Sequence, residues 1–196
     1  AAFDVPRSPG STLKPLVYAA AIDRGDALPE FLVPDVPTAF GSYVPRNYDG
    51  GFDGLVRLDD ALSRSLNVPF IHLLRGVGVD SFLGILRDLG VSTLADDPNH
   101  YGLSVAVGGV ELTPLELAGA YAALARGGRA QSPRWLLDTE SDLGAQPLSE
   151  GATWLTRRAL ERRDRPDFPG RADLSAATTG IHWKTGTSTG RRDAWA

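Results

Sequence analysis

Apolar residues return at three- and four-residue steps in several blocks of the chain, and each block predicts a helix. Leu13, Leu16, Val17, Ala20 and Ala21 recur at helical spacing behind Pro9 and Gly10, and Gly25 stops the run. The pattern predicts a helix over about 11–23 with Ser11 as its cap, and Pro15 is tolerated because it falls at the very start. The stretch "LVRLDDALSRSLNVPFIHLLRGVG" carries two helical patterns, interrupted at Ser65-Leu66-Asn67 and restarted by Pro69. Asp59 and Asp60 read as first-turn helix charge there. "DSFLGILRDLG" predicts a short helix stopped by Gly90. "TPLELAGAYAALARGG" is the clearest helix: Thr113 and Glu116 make a capping-box pattern, Pro114 takes the first helical position and Gly127 ends it. "SEGATWLTRRALER" predicts another.

Between these blocks the periodicity changes. Residues 26–54 are rich in Pro, Gly, Asp and aromatics, which predicts an ordered irregular segment with short strands at most. Long loops in compact domains are often functional. A hairpin is expected around "RAQSPRWLLD". The last stretch, "IHWKTGTSTGRRDAWA", predicts a strand over 181–188, a turn near Thr189-Gly190 and the start of a second strand. There is no internal repeat, low-complexity tract or second domain, so 1–196 is expected to be one domain.

Composition narrows the function classes. With 196 residues, 42% hydrophobic and 22% charged, the chain is long enough and apolar enough for one real core. A net charge of -4 and the lack of a basic run argue against nucleic acid and anionic membrane surfaces as partners. No apolar stretch approaches the roughly 20 residues of a membrane span. The chain has no Cys, hence neither a disulfide framework nor a thiolate metal site, and His72, His100 and His182 lack paired ligand spacing. No metal or cofactor is expected. The absence of Met, the initiator included, leads us to expect an internal piece of a longer polypeptide.

One count carries chemistry. Lys14 and Lys184 are the two lysines, and every other basic residue is Arg. An ammonium can lose its proton when buried, whereas a guanidinium cannot. Lys14 lies three residues after Ser11, so on a helix the hydroxyl and the amine share a face. A neutral lysine can activate a serine nucleophile, and helix-start N–H groups can hold an oxyanion. A serine cap followed by a solvated lysine has the same spacing, so this motif alone is weak. Lys184 opens Lys184-Thr185-Gly186-Thr187, where a cation, hydroxyls and a glycine that admits a ligand backbone can bind a carboxylate. Ser65-Leu66-Asn67 adds a second hydroxyl able to relay a proton and an amide able to orient a lysine and a substrate carbonyl.

S-x-x-K, S-D-N and K-T-G in this order are the signature of serine β-lactamases and penicillin-binding proteins, here with Leu66 in place of the Asp. Beyond these motifs, "RSPGSTLKPLVYAAAIDRG", "FGSYVPRNYDGGFDGLVRLDDALSRSLNVP", "YGLSVAVGGVELTPLELAGAYAALARGG" and "HWKTGTSTGRRDAWA" cover well over half the chain. Through them the chain resembles the transpeptidase domain of class A penicillin-binding proteins, most of all the penicillin-binding protein 1C subgroup.

The resemblance implies an α+β fold of the serine β-lactamase and D,D-peptidase kind, with helices packed on an antiparallel sheet. Only the K-T-G strand and the start of the next would be present, so the expected form is a truncated, helix-dominated portion with an incomplete sheet. It implies a D,D-transpeptidase of bacterial peptidoglycan synthesis acting on stem peptides that end in D-Ala-D-Ala. Ser11 would be the nucleophile, Lys14 the base, Ser65 the proton relay and Asn67 a positioning group. Lys184, with Thr185, Gly186, Thr187 and Ser188, would bind the terminal carboxylate, and the Ser11 and Thr187 N–H groups would form the oxyanion hole. β-Lactam antibiotics would acylate Ser11. A full-length protein would be membrane-anchored outside the cytoplasm, with a glycosyltransferase domain ahead of this piece. The chain departs from the subgroup at Thr189 and Arg191, where aromatics are usual. Alternatives are an acylated binding or sensor module without transfer activity, and a serine β-lactamase using Glu111 or Glu116 as hydrolytic base. Trp183, Trp195, Tyr43 and Tyr48 read as core or cleft wall, and His182, two residues from Lys184, is expected on the cleft face.

Overall fold

The computed structural model describes residues 3–97, 100–136, 143–161, 181–188, 190 and 192–196. A 3-10 turn, Gly10–Leu13, runs directly into α1 (Lys14–Asp23), and Ser11, expected as the helix cap, lies inside that turn where no side chain caps the helix start. Every side chain from Lys14 through Ala21 is buried. The apolar spacing predicts a helix with one buried face, but a helix made of Leu, Val, Tyr and Ala on all sides is central, and α1 is enclosed by its neighbours. α3 (Val68–Val77) and α6 (Glu150–Leu160) flank it, and the short α2 (Leu58–Ser63) touches both α1 and α6. α4 (Val79–Asp88) leaves α3 at 85°, bent at Gly78, whose φ of +88° suits glycine. Leu16, Phe70, Ile71, Leu74, Phe82 and Leu86 from these helices are fully buried in one shared core, each worth about 1.5–3 kcal/mol of burial. No single described helix is long and apolar enough to cross a membrane.

α5 (Pro114–Ala125) begins as its sequence predicts. Thr113 Oγ1 accepts from the Glu116 N–H, and a Glu116 carboxylate oxygen accepts from the Thr113 N–H at 2.8 Å. Glu116 also accepts from Ser92 N–H at 2.7 Å, from the Ser92 hydroxyl at 2.9 Å and from Thr93 N–H at 3.1 Å, which ties the 92–93 loop to the helix. Burial raises this carboxyl, but the hydrogen bonds from Thr113, Ser92 and Thr93 outweigh it and hold it at about 2. On α6, the Ser149 hydroxyl accepts from the Ala152 N–H as the cap.

Strands are few among the described residues. β1 (Leu32–Asp35) and β2 (Gly54–Arg57) pair antiparallel, with Val33 opposite Val56 facing the core and Leu32 and Leu55 facing out. β3 (Gly186–Thr187) and β4 (Ala194–Trp195) form a second antiparallel pair. The fold is thus helix-dominated α+β with antiparallel strands, as expected.

Three further local expectations change. Residues 55–57 read as the start of a helix but form β2, because Val56 gains a partner in Val33 and the chain stays extended until Arg57, where α2 begins. The hairpin expected within 129–138 closes later: Ala130 N–H donates to Ala145 O at 2.8 Å and Gly144 N–H to Ala130 O at 2.9 Å, so the return arm is 143–145. Residues 137 and 138 lie outside the described residues. The strand expected over 181–188 is regular only at Gly186 and Thr187, where β4 supplies the ladder. Helix-end residue 162 and turn residue Thr189 also lie outside the described residues.

Candidate active site

Ser11 sits in the 3-10 turn that leads into α1, and three close backbone approaches hold that turn in place. Gly10 has φ +56°, and a Cβ on it would collide with the backbone of Thr187 in β3. Gly108 has φ +92°, and a Cβ there would collide with the backbone of Gly10. Gly186 faces Thr12 N and Pro9 O, leaving no room for a side chain. At Gly10 and Gly108 glycine supplies both the absent Cβ and the positive φ, and at Gly186 the absent Cβ. From the other side, Thr12 Oγ1 donates to Pro9 O at 2.6 Å and the Tyr121 hydroxyl of α5 donates to Thr12 O at 2.8 Å. Farther back, Arg7 pairs with Asp193 at 2.7 Å, and Trp195 Nε1 donates to Ser8 O at 3.1 Å. The β3–β4 hairpin is thereby pinned to the segment that delivers Ser11.

Ser65 arrives by a different device. Past α2, Leu66 N–H donates to Ala61 O and Ser65 N–H donates to Leu62 O, which is the Schellman ending of a helix. The residue after the cap is then left-handed and ordinarily glycine. Here it is Ser65, with φ 60°, the sole non-glycine residue at positive φ among the described residues. Strain of this kind persists only where surrounding contacts hold it. Ser65→Gly is therefore expected to be about 1 kcal/mol more stable than Ser65→Ala, since both lose the hydroxyl and only Gly loses the strain. Denaturant midpoints of the two variants check this, and equal midpoints would show that Ser65 carries no strain.

The two lysines converge on Ser65. Lys14 Nζ lies 3.0 Å from Ser11 Oγ, 2.6 Å from Ser65 O, 3.3 Å from Ser65 Oγ and 2.7 Å from Asn67 Oδ1. Lys184 Nζ donates to Ser65 Oγ at 2.8 Å and to Thr185 O at 2.7 Å. Their exposures are 0% and 1%, so both amines are out of bulk water. Burial first, and the positive charge of Lys184 second, push Lys14 well below the ordinary lysine value. A neutral amine has two N–H groups and one lone pair. The carbonyl oxygens of Ser65 and Asn67 can only accept, so they take the two N–H groups and leave the lone pair for the Ser11 hydroxyl. That arrangement can deprotonate Ser11 and afterwards hand a proton to Ser65 Oγ.

Ser11, Ser65, Asn67, Thr185, Gly186, Thr187 and Ser188 all line one cleft of about 570 Å³, and the two buried lysines bond to its lining residues Ser11, Ser65, Asn67 and Thr185. The structure thus brings together every sequence-predicted site residue. Ser188 Oγ is engaged within its own hairpin, accepting from Asp193 N–H at 2.8 Å. His182 is exposed and does not line this cleft, contrary to the expectation that it shares the Lys184 face, because strand alternation does not extend back to it. Tyr48 does line it, 74% exposed at the mouth with Asp49 and Arg64. Tyr43 packs against the core edge. Thr189 and Arg191 lie outside the described residues. Among the described residues no group of three or more His, Asp or Glu is placed to hold a metal ion.

Sequence reasoning missed Asn47, Asp35, Gly10 and Gly108. Asn47 Oδ1 accepts from Asn67 N–H at 2.7 Å, and its Nδ2 reaches both oxygens of the fully buried Asp35 at 2.8 and 2.9 Å. The length of the irregular 26–54 segment was the available signal, but nothing in it singles out Asn47 from its neighbours.

A family model for the penicillin-binding protein transpeptidase domain matches residues 1–191. Penicillin-binding protein 1C of Escherichia coli (strain K12) is 41% identical over 191 residues, covering 97% of this chain and 24% of that protein. Penicillin-binding protein 1F of Bacillus subtilis (strain 168) is 32% identical over 206 residues, covering 96% of this chain and 28% of that protein. The chain spans about a quarter of the length of these relatives. Among solved structures, penicillin-binding protein 1A from Haemophilus influenzae superposes with a TM-score of 0.77 at 21% identity, over 97% of this chain and 36% of that one. The transpeptidase domain of Burkholderia pseudomallei penicillin-binding protein 3 gives 0.70 at 16% identity, over 82% and 54%. These two show the fold, while the family model and the sequence relatives show the kinship: the chain belongs to the penicillin-binding protein transpeptidase family.

Proposed function

We propose that this chain is a D,D-transpeptidase of peptidoglycan synthesis that works through an acyl-enzyme on Ser11. The observation that carries this reading is the buried Lys14 amine, 3.0 Å from Ser11 Oγ with two carbonyl oxygens occupying its N–H groups. Lys14 takes the Ser11 proton as Oγ attacks the carbonyl carbon of the penultimate D-Ala. The N–H groups of Ser11 and Thr187, on backbone segments that touch at Gly10, receive the oxyanion. The proton passes through Ser65 Oγ to the nitrogen of the terminal D-Ala, the C–N bond breaks, and the amine leaves. Lys184, Thr185 and Thr187 bind the terminal carboxylate. An acceptor amine then attacks the ester, returns the proton to Ser11 by the same route and forms the cross-link. No metal or organic cofactor takes part.

A penicillin presents the same carbonyl and carboxylate but keeps its leaving amine tethered, so it acylates Ser11 and leaves slowly. Glu116, considered above as a hydrolytic base, spends both carboxylate oxygens on Thr113, Ser92 and Thr93 and does not line the cleft. Slow release follows, in a protein that acts outside the cytoplasm on membrane-proximal cell wall.

Incubating the full-length protein with a penicillin and, separately, with a D-Ala-D-Ala stem peptide plus an acceptor amine tests the reading by intact mass and peptide mapping. A stable penicillin adduct on the peptide holding Ser11, and a cross-linked product released with free D-Ala, are expected. An adduct with no product would favour a sensor module, rapid release of opened penicillin would favour a β-lactamase, and no adduct would sink the acyl-enzyme.

A further inference from the structure

The irregular 26–54 segment reaches the cleft through a short chain of amides that the reaction scheme above leaves unused. Asp35, the last residue of β1, is 0% exposed, and its oxygens accept from Asn47 Nδ2 at 2.8 and 2.9 Å and from Asp53 N–H at 2.9 Å. Asn47 Nδ2 also donates to Gly51 O at 2.9 Å. Every partner of that nitrogen is an acceptor, so the NH₂ end of the Asn47 amide must face Asp35 and its oxygen must face away. That oxygen accepts from the Asn67 N–H at 2.7 Å. The Asn67 side chain has one choice left, because its Nδ2 donates to Arg46 O at 2.7 Å, leaving Oδ1 for Lys14 at 2.7 Å.

We infer that Asp35 and Asn47 are positioning residues for acyl transfer, which lock the Asn67 amide with its oxygen toward Lys14 and so aim the Lys14 lone pair at Ser11. The inference rests on the reading of Ser11 and Lys14 proposed above. Asp35 lies outside the cleft, and Asn47, which lines it, bonds to neither Ser11 nor Lys14. Were Asn67 to flip, its NH₂ group would meet the amine and compete with the Ser11 hydroxyl for the lone pair. Arg46 and Asn47 are adjacent, so one short piece of backbone holds both the backbone N–H and the side chain of Asn67. Orientation is the operative property: both terminal atoms at position 35 face the Asn47 NH₂ group, so both must be acceptors.

The test is saturation kinetics of a fluorescent penicillin on the full-length protein, separating the acylation rate constant from the dissociation constant of the noncovalent complex. Asp35→Leu and Asn47→Ala are expected to lower the acylation constant about 10- to 100-fold, the effect of a misaimed catalytic group. Asp35 does not line the cleft, so its variants should leave the dissociation constant within about threefold. Asp35→Asn keeps the shape but sets an NH₂ group against the Asn47 NH₂ group, so it should lower the acylation constant about 10-fold while leaving the dissociation constant within about threefold. Should Asp35→Leu fail to fold, Asn47→Ala and Asp35→Asn decide the matter. An unchanged acylation constant in folded Asn47→Ala or in Asp35→Asn would overturn the inference. Lys14→Ala in the same series keeps the two readings apart: if it acylates like the parent, the base assignment fails, and if it is crippled while Asp35 and Asn47 variants are not, only the positioning role fails.

Discussion

Lys14→Ala should acylate with penicillin about 1,000-fold more slowly than the parent, within the range ordinarily lost with a general base. Lys14→Arg should rescue none of it. Arginine keeps the cation, but it does not deprotonate near neutral pH, and the role requires a lone pair. The pH dependence follows from the same chemistry. Acylation needs the neutral amine, so its rate rises with pH through the Lys14 titration and then levels. Because burial and the Lys184 charge lower that pKa, the rise falls well below the value near 10.4 of a free lysine. Lys184→Ala removes the second cause and leaves the first. The maximal rate drops because the carboxylate contact is lost, and the ascending limb moves to higher pH. Stopped-flow acylation between about pH 5 and 10 reads both quantities. A limb in Lys184→Ala at the same pH or lower would mean that the two amines do not interact as their shared contact with Ser65 implies.

Gly108→Ala is expected to destabilise the domain by about 3 kcal/mol or more and to abolish acylation with it. The added methyl would meet backbone atoms of Gly10, which no rotamer change can move aside, and the residue would also be held at φ +92°. Gly10 in turn abuts Thr187, so relief at one contact drives the Ser11 turn into β3. The control is Gly119→Ala in the middle of α5, where a Cβ meets nothing within 4 Å. That substitution should stabilise by about 0.5–1 kcal/mol through helix propensity alone. Thermal melts with a penicillin-binding assay on the same samples distinguish the two glycines. A Gly108→Ala protein that melts and acylates like the parent would show that the three-backbone stack does not position Ser11.

The helical blocks were readable because their information is local. Apolar spacing, the Thr113–Glu116 box and the stops at Gly25, Gly90 and Gly127 each act within a few residues, and each appears in the structure at its expected place. Residues 55–57 were misread for the opposite reason. Leu55-Val56-Arg57 is strand because Val33, more than twenty residues earlier, offers it a partner, and no local pattern announces that pairing. The Lys184 strand was overestimated on the same ground, since a ladder extends only as far as the opposite strand accompanies it.

The candidate site divides along the same line. The sequence by itself determined which side chains are chemically special: the two lysines in an otherwise Arg-based chain, the hydroxyl three residues before one of them, and the order of the three motifs. Only the tertiary structure decided that both amines meet at Ser65, that Ser65 is left-handed, and that a buried Asp35 orients Asn67 through Asn47. Those contacts join residues from 12 to 119 positions apart, and each direction of hydrogen bonding depends on which acceptor-only group sits at the far end. A linear pattern states what groups a chain owns, whereas packing states which lone pair faces which proton.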